Sequence, residues 1–333
     1  MTPALTNYVR DVVCRLRQNN CADMRIYIID NPTFNASCWP NGMVVVHTGL
    51  LVRTENEAQL AFVLGHEITH YLMRHVWNGF DKRRETSDII AFFSLGVAAA
   101  GVGIHTNLSG VSSLAQSIAA GEMFAYNRNQ EREADAGGFE MAVRAGYDPD
   151  QGHVLWSNIS DESNARPDHR EPNVFLADHP TDAERLHDMT LLANEARGTT
   201  QAADLGTDRW KTALALHRAE WLDEELERGS LFESVYLISR LLKGDPQSGE
   251  LQFYLAEAYR RRNGTGDVQN AISTYRTAIA DGGNQAKAYR GLGIAALKSG
   301  DNDTARSALN DYLRLAPAAD DKAMIQSYLA RMP

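Results

Sequence analysis

The chain has 333 residues, 44% of them hydrophobic and 23% charged, enough for two domains and ordinary for a globular protein rather than a disordered or fibrous one. The 33 basic and 43 acidic residues leave a net charge of -10 with no lysine- or arginine-rich block, which argues against nucleic acid and against charge-driven binding to an anionic membrane. The three cysteines, Cys14, Cys21 and Cys38, form no CxxC pair, so no zinc ribbon or thioredoxin-like site is expected. They read as small, partly buried residues, and the odd count leaves at least one free thiol unless two chains are bridged.

Met1 to Arg17 lacks the basic start and apolar stretch of a signal peptide. Two locations stay open: a cytoplasmic protein, or an exported one whose signal was removed ahead of Met1. Residues 5–18 have the pattern of an amphipathic helix, and Arg25–Asp30 and Met43–His47 read as strands with a turn at Pro40-Asn41-Gly42. Thr54 and Glu57 have capping-box spacing and predict a helix running to about Val76, with Ala61, Leu64, Ile68 and Leu72 as its apolar face. Residues 89–121 carry no Asp, Glu, Lys or Arg, and their apolar core, Ile89 to Ile104, falls short of the roughly 20 residues that span a bilayer. The stretch reads as buried helix, with a hairpin making peripheral contact with a membrane or a partner as the alternative. A helix is predicted from about Glu122 to Ala145, stopped by Gly146. The polar, proline-containing stretch 150–180 reads as a long loop able to lid a cleft, 181–196 as helix and 197–208 as a linker.

From there the chain repeats. Tyr289, Leu292, Gly293, Ala296, Gly300, Ala305 and Pro317 fit the tetratricopeptide pattern, and Leu255, Ala256, Tyr259, Ala271, Tyr275 and Ala278 fit it again. Three helix pairs, about 213–246, 250–283 and 286–319, and a final capping helix are expected. Such a stack makes a concave groove suited to protein segments.

The chemistry sits in His66-Glu67-Ile68-Thr69-His70, an HExxH pattern inside the second predicted helix. Histidines four apart share one helix face, so both imidazoles can reach one cation, and Glu67 can take the proton of a water there. A catalytic zinc usually takes a third protein ligand. Glu131 is the best candidate, with Asp135 one turn later placed to hydrogen-bond the outer nitrogen of a ligand histidine. Glu133 is the rival, and spacing alone does not choose between them. His75, nine residues after His66, matches the ligand face poorly and reads as a surface residue or one behind a ligand.

Asn35-Ala36, the run Gly42 to Leu51, Glu57 to Gly65 leading into HExxH, and Glu131 to Asp135 as E-x-x-A-D together resemble the zinc metallopeptidase family of the CAAX prenyl proteases, over about residues 5–195. The repeats make the similarity greatest to the branch of periplasmic proteases that carry a C-terminal tetratricopeptide domain. The resemblance favours Glu131 over Glu133 as third ligand. It implies one zinc per chain, protein or peptide substrates, and a place in cell-envelope quality control of outer-membrane proteins, within an envelope protein complex engaged through the repeat groove. His179-Pro180, with Arg185 six residues on, also matches. The resemblance implies that His179 and Arg185 lie near the zinc, and that His179 either hydrogen-bonds the transition state or plugs the water position. Ser37-Cys38-Trp39 and Asn127 depart from the family's pattern without touching the ligand set.

The expected fold is mainly α: an α+β zincin-like metallopeptidase domain with a small β-sheet over 1–200, followed by an α-helical tetratricopeptide solenoid over 209–333. The expected activity is zinc-dependent endopeptidase, with His66, His70 and Glu131 on the metal, Glu67 as base, His179 or Arg185 at the oxyanion, and the strand Val44–His47 pairing with an extended substrate. The alternatives are a chaperone or adaptor whose zinc site is latent, and a zinc hydrolase of a non-peptide bond. Prenyl-protein cleavage is disfavoured, because such enzymes are built around several long transmembrane helices and the sequence has none.

Overall fold

The computed structural model describes residues 2–76, 128–167, 179, 183–197 and 203–332. The apolar stretch 89–121 and residues 168–178 and 180 of the predicted lid fall outside these residues. The chain divides into two compact units, one of residues 1–158 with 171–213, the other of 159–170 with 214–333.

In the first unit, helix α1 (Pro3–Leu16) starts where Thr2 caps it and Pro3 needs no hydrogen-bond partner for its nitrogen. Leu5, Val9, Val12, Val13 and Leu16 recur on one stripe and are buried. Cys14 and Cys21 are joined by a disulfide, and Cys38 is the buried free thiol that the odd count leaves over. Three strands follow: β1 (Arg25–Ile29), β2 (Ala36–Cys38) and β3 (Met43–His47). Their order is β1-β3-β2, with Ile26 opposite Val44 in the parallel pair and Ser37 opposite Val45 in the antiparallel one. The predicted turn therefore joins β2 to β3. Strand β2 escapes a sequence reading because Ala-Ser-Cys is too short and too small to show strand patterning.

Helices α2 (Thr48–Arg53) and α3 (Glu57–Leu72) come next. The N-cap of α3 is Asn56, whose side chain accepts from the Gln59 N–H at 2.9 Å, and not Thr54. The Thr54 hydroxyl instead donates back to the Leu50 and Leu51 carbonyls and closes α2. Every α3 residue from Glu57 to His70 is buried, so the helix is packed on all sides. It stops at Leu72, short of the predicted Val76, and Arg74 then adopts φ +54°.

Helix α4 (Arg128–Arg144) ends as expected at Gly146, whose φ of +89° suits glycine. Helices α3 and α4 meet at Gly65 and Gly138. A Cβ on Gly138 would lie 2.5 Å from the His66 nitrogen, and one on Gly65 2.9 Å from the Gly138 carbonyl. Residues 150–164 form helix α5 (Asp150–Asn164) and not a loop. Buried Leu155, Trp156 and Ile159 supply the helical spacing that the surrounding polar residues hide. Helix α6 (Ala183–Arg197) falls where predicted.

The predicted linker is not a tether. The Leu205 carbonyl accepts from Ala58 N–H, Asp204 pairs with Tyr147, and helix α7 (Thr207–Leu214) places Arg209 and Trp210 on the start of α3. There the fully buried Glu57 carboxylate accepts from Tyr8, Tyr147, Arg15 and Arg209 at 2.6–2.8 Å. Burial pushes its pKa up, but these donors outweigh that and bring it down to about 2.

The second unit holds helix pairs α8 (Arg218–Glu227) with α9 (Leu231–Gly244), α10 (Gly249–Arg262) with α11 (Asp267–Ala280), and α12 (Gln285–Ser299) with α13 (Asn302–Leu315). Helix α14 (Lys322–Arg331) caps them. The pattern residues Ala256, Ala271, Tyr275, Ala278, Ala296 and Ala305 are fully buried, as tetratricopeptide spacing demands. Among the described residues, no helix is long and apolar enough to cross a membrane.

Candidate metal centre

The centre is built on two helices that the glycine contact holds close. From α3, His66 and His70 project from one face, with their Nε2 atoms 3.1 Å apart. From α4, Glu131 brings one carboxylate oxygen to 3.7 Å from His66 Nε2 and the other to 3.5 Å from His70 Nε2. Two nitrogens bound tetrahedrally to one zinc at about 2.0–2.1 Å would stand roughly 3.3 Å apart, close to the spacing seen. His179 adds its Nδ1 at 3.2 Å from His66 Nε2 and 3.0 Å from Glu131. The four donor atoms lie within 4.8 Å of one another and all four residues are buried. Nitrogen and carboxylate donors converging in this way fit a metal ion of zinc's preference.

The tautomer of His66 follows from its neighbour. Asp135 Oδ1 lies 2.9 Å from His66 Nδ1, and a carboxylate only accepts, so the proton sits on Nδ1 and Nε2 offers its lone pair to the centre. Arg185 grips both Asp135 oxygens at 2.7 and 2.9 Å and reaches Glu131 at 2.8 Å. Burial alone would raise the pKa of Asp135, but the bonds from His66 and Arg185 lower it. Glu131 is likewise held below the usual range, burial being outweighed by His179, His66 and Arg185. Burial drives the pKa of His70 well down, helped by the surrounding histidines.

Glu67 stands beside this set. Its Oε2 accepts from the Cys38 backbone N–H at 3.2 Å, while its buried Oε1 has no hydrogen-bond partner among the described residues and lies 3.6 Å from His179 Nε2. Burial raises its pKa, with His179 and His66 opposing. The orphaned oxygen beside the donor set is what a base awaiting a water would present.

Of the residues singled out in the sequence, His66, Glu67, His70, Glu131, Asp135, His179 and Arg185 all fall in this one cluster. Glu133 lies outside it, its side chain 60% exposed and paired with His75. His75 is buried behind His70 rather than at the surface. The guanidinium of Arg185 is directed at Asp135 and Glu131. Strand β3 has β1 on one side and β2 on the other, so neither edge is open to a substrate, contrary to expectation. Sequence reasoning missed the Cys38 N–H on Glu67 and Trp156, whose ring stands edge-on to His66 at 5.9 Å. Neither carries a signal, because a backbone donor has no residue type and Trp156 lay in a stretch read as loop.

Comparison with known proteins agrees with the geometry. The chain is 28% identical over 200 residues to the β-barrel assembly-enhancing protease of Escherichia coli, covering 59% of this chain and 40% of that protein. It is 26% identical over 219 residues to the mitochondrial metalloendopeptidase OMA1 of Schizosaccharomyces pombe, covering 65% of this chain and 61% of that one. To the OMA1 metalloendopeptidase of Danio rerio it is 30% identical over 177 residues, covering 51% and 36%. The chain thus spans about 40% of the length of its Escherichia coli relative. A tetratricopeptide repeat model matches residues 264–320. The model of peptidase family M48 matches residues 2–192, more than half of the chain, and the chain belongs to that family.

Proposed function

We propose that this chain is a zinc-dependent endopeptidase acting on unfolded or misassembled proteins, in quality control of outer-membrane proteins at the cell envelope. The observation that carries the reading is the convergence of His66, His70 and Glu131 beside the unpartnered oxygen of Glu67. His66, His70 and Glu131 would hold the zinc, which when bound lowers the pKa of water and polarises a carbonyl. Glu67 takes the proton of the attacking water on Oε1 and returns it to the leaving amine, while the Cys38 N–H holds Oε2 still. Asp135 fixes the His66 ring, and Arg185, gripping both Asp135 and Glu131, is a positioning residue.

Strand β2 is the better substrate edge. The Trp39 N–H and the Asn35 carbonyl bond to β3, so Ala36 turns its backbone groups outward, on the side where the Cys38 N–H is already given to Glu67. An extended peptide added there would be held by its main chain, with little sequence preference. His179 supports a gated site. Its Nδ1 stands within the donor set, where a catalytic zinc keeps a position for water, so His179 must leave for cleavage to proceed. Relatives named as proteases favour cleavage over a purely adaptor role, with the repeat unit holding clients. The peptidase domain is read as residues 1–200 and the repeat domain as 209–333. The periplasmic location draws support from the Cys14–Cys21 disulfide, which suits an oxidising compartment.

The test is cleavage of casein with and without chelator. Wild type should cleave, chelator should stop it, and Glu67→Gln should lose at least about 100-fold while binding one zinc per chain. Unimpaired cleavage by Glu67→Gln would refute the mechanism.

A further inference from the structure

Each ligand histidine has one ring nitrogen facing the centre and one facing away. For His66 the outer nitrogen is taken by Asp135, itself gripped by Arg185. For His70 the outer nitrogen meets another imidazole. Its Nδ1 lies 2.9 Å from Nδ1 of His75, and Nε2 of His75 lies 3.0 Å from Glu133 Oε2. His75 is 3% exposed, whereas the Glu133 side chain is 60% exposed.

We propose that His75 and Glu133 are the outer chain of the metal ligand His70, positioning residues that fix its ring and strengthen its hold on the ion. The inference rests on the metal-site reading above. With a cation on Nε2 of His70, the proton of that neutral ring must sit on Nδ1, which then donates to Nδ1 of His75. The proton of His75 is thereby confined to Nε2, which donates to the Glu133 carboxylate. One choice at the metal fixes every proton in the chain, and the negative end polarises both rings towards the ion. The two histidines are thus supported differently: His66 by a carboxylate in a buried ion pair, His70 through an imidazole that relays a carboxylate from the surface. Glu133, two residues from Glu131, serves the same ion from behind.

The experiment measures zinc affinity by competition with a chromophoric chelator, and the visible spectrum of the cobalt(II) form, for the full chain. His75→Phe keeps the ring shape but removes both nitrogens, and should weaken zinc binding by about 10- to 100-fold and shift the cobalt bands. His75→Asn retains an acceptor near the Nδ1 position and should recover part of that loss. Glu133→Gln should weaken binding by a smaller factor, about 3- to 10-fold. Unchanged affinity and cobalt spectrum in a folded His75→Phe overturn the proposal. If that variant does not fold, Glu133→Gln and Glu133→Ala, at an exposed position, decide, and affinity within twofold of wild type in both overturns it. Wild type that binds no zinc would overturn the metal-site reading itself, and this proposal with it.

Discussion

The two histidines of α3 illustrate what one residue's place in a sequence can reveal. Four-residue spacing on a helix puts both rings on one face, and with Asp135 and His75 behind them their Nε2 atoms come to 3.1 Å. The choice between Glu131 and Glu133 depends on how α4 is rotated against α3, which spacing within α4 cannot express. Glu131 faces the histidines, and Glu133, two residues on, turns to solvent and to His75. Arg185 was legible as a neighbour of the site but not as the partner of Asp135, since its partner lies 50 residues away. The gating role proposed for His179 makes a prediction at this scale. His179→Ala should raise casein cleavage several-fold over wild type, because the water position opens while His66, His70 and Glu131 remain. A fall in rate, measured at saturating zinc, would instead assign His179 to transition-state hydrogen bonding.

Among elements, the α3–α4 contact governs the centre. Gly138→Val would place side-chain atoms against the His66 backbone and force the helices apart, carrying Glu131 away from His66 and His70. The expected cost is about 1–3 kcal/mol of stability, read by urea unfolding, with weaker zinc binding than wild type. Stability and affinity both unchanged would mean that the helices are not held at this contact. Elements dense in patterned apolar residues, such as α1 and α3, could be read from the sequence. Strand β2 and helix α5 could not: the first is three small residues, and the second buries Leu155, Trp156 and Ile159 among polar neighbours. The start of α3 was misplaced because Thr54 and Glu57 have the right spacing for a capping box, while Glu57 is committed to four donors from elsewhere in the chain.

That Glu57 cluster should contribute to the acid response of the first unit. The folded pKa of about 2 lies below the ordinary value of 4.5, so the ionised carboxylate stabilises the fold fully above pH 4.5. The contribution, on the order of 2–3 kcal/mol, is lost as pH falls from 4.5 towards 2. Glu57→Gln should flatten the dependence of unfolding free energy on pH across that window. An equal slope in wild type and variant would assign the acid response to other groups.

For the whole molecule, the proposed metal binding would be linked to folding. Zinc held by the folded centre and not by the unfolded chain should raise the melting temperature, by about 5–10 °C at zinc near 100 times its dissociation constant. Chelator should reverse the shift, and Glu131→Gln should blunt it; a melting curve indifferent to zinc would count against a metal centre. The repeats were the most legible part of the molecule, because each helix pair buries its small residues at fixed offsets. The stretch after 197 was the least legible, since what makes residues 203–213 part of the first unit is bonding to partners far off in sequence.

That last pairing bears on the order in which the molecule can be completed. Arg209 meets Glu57 across 152 positions of chain. At a synthesis rate of about 5–20 residues per second, Glu57 waits on the order of 10–30 s for that arginine to be made. During the interval the start of the HExxH helix holds a buried acid with only part of its complement of donors. A nascent chain, or a fragment cut after residue 200, should therefore be exposed to proteolysis around Glu57 in a way the finished chain is not. The HExxH helix, begun in the first fifth of the chain, would thus have its start completed only when nearly two thirds of the chain has been made, just before the repeat unit follows.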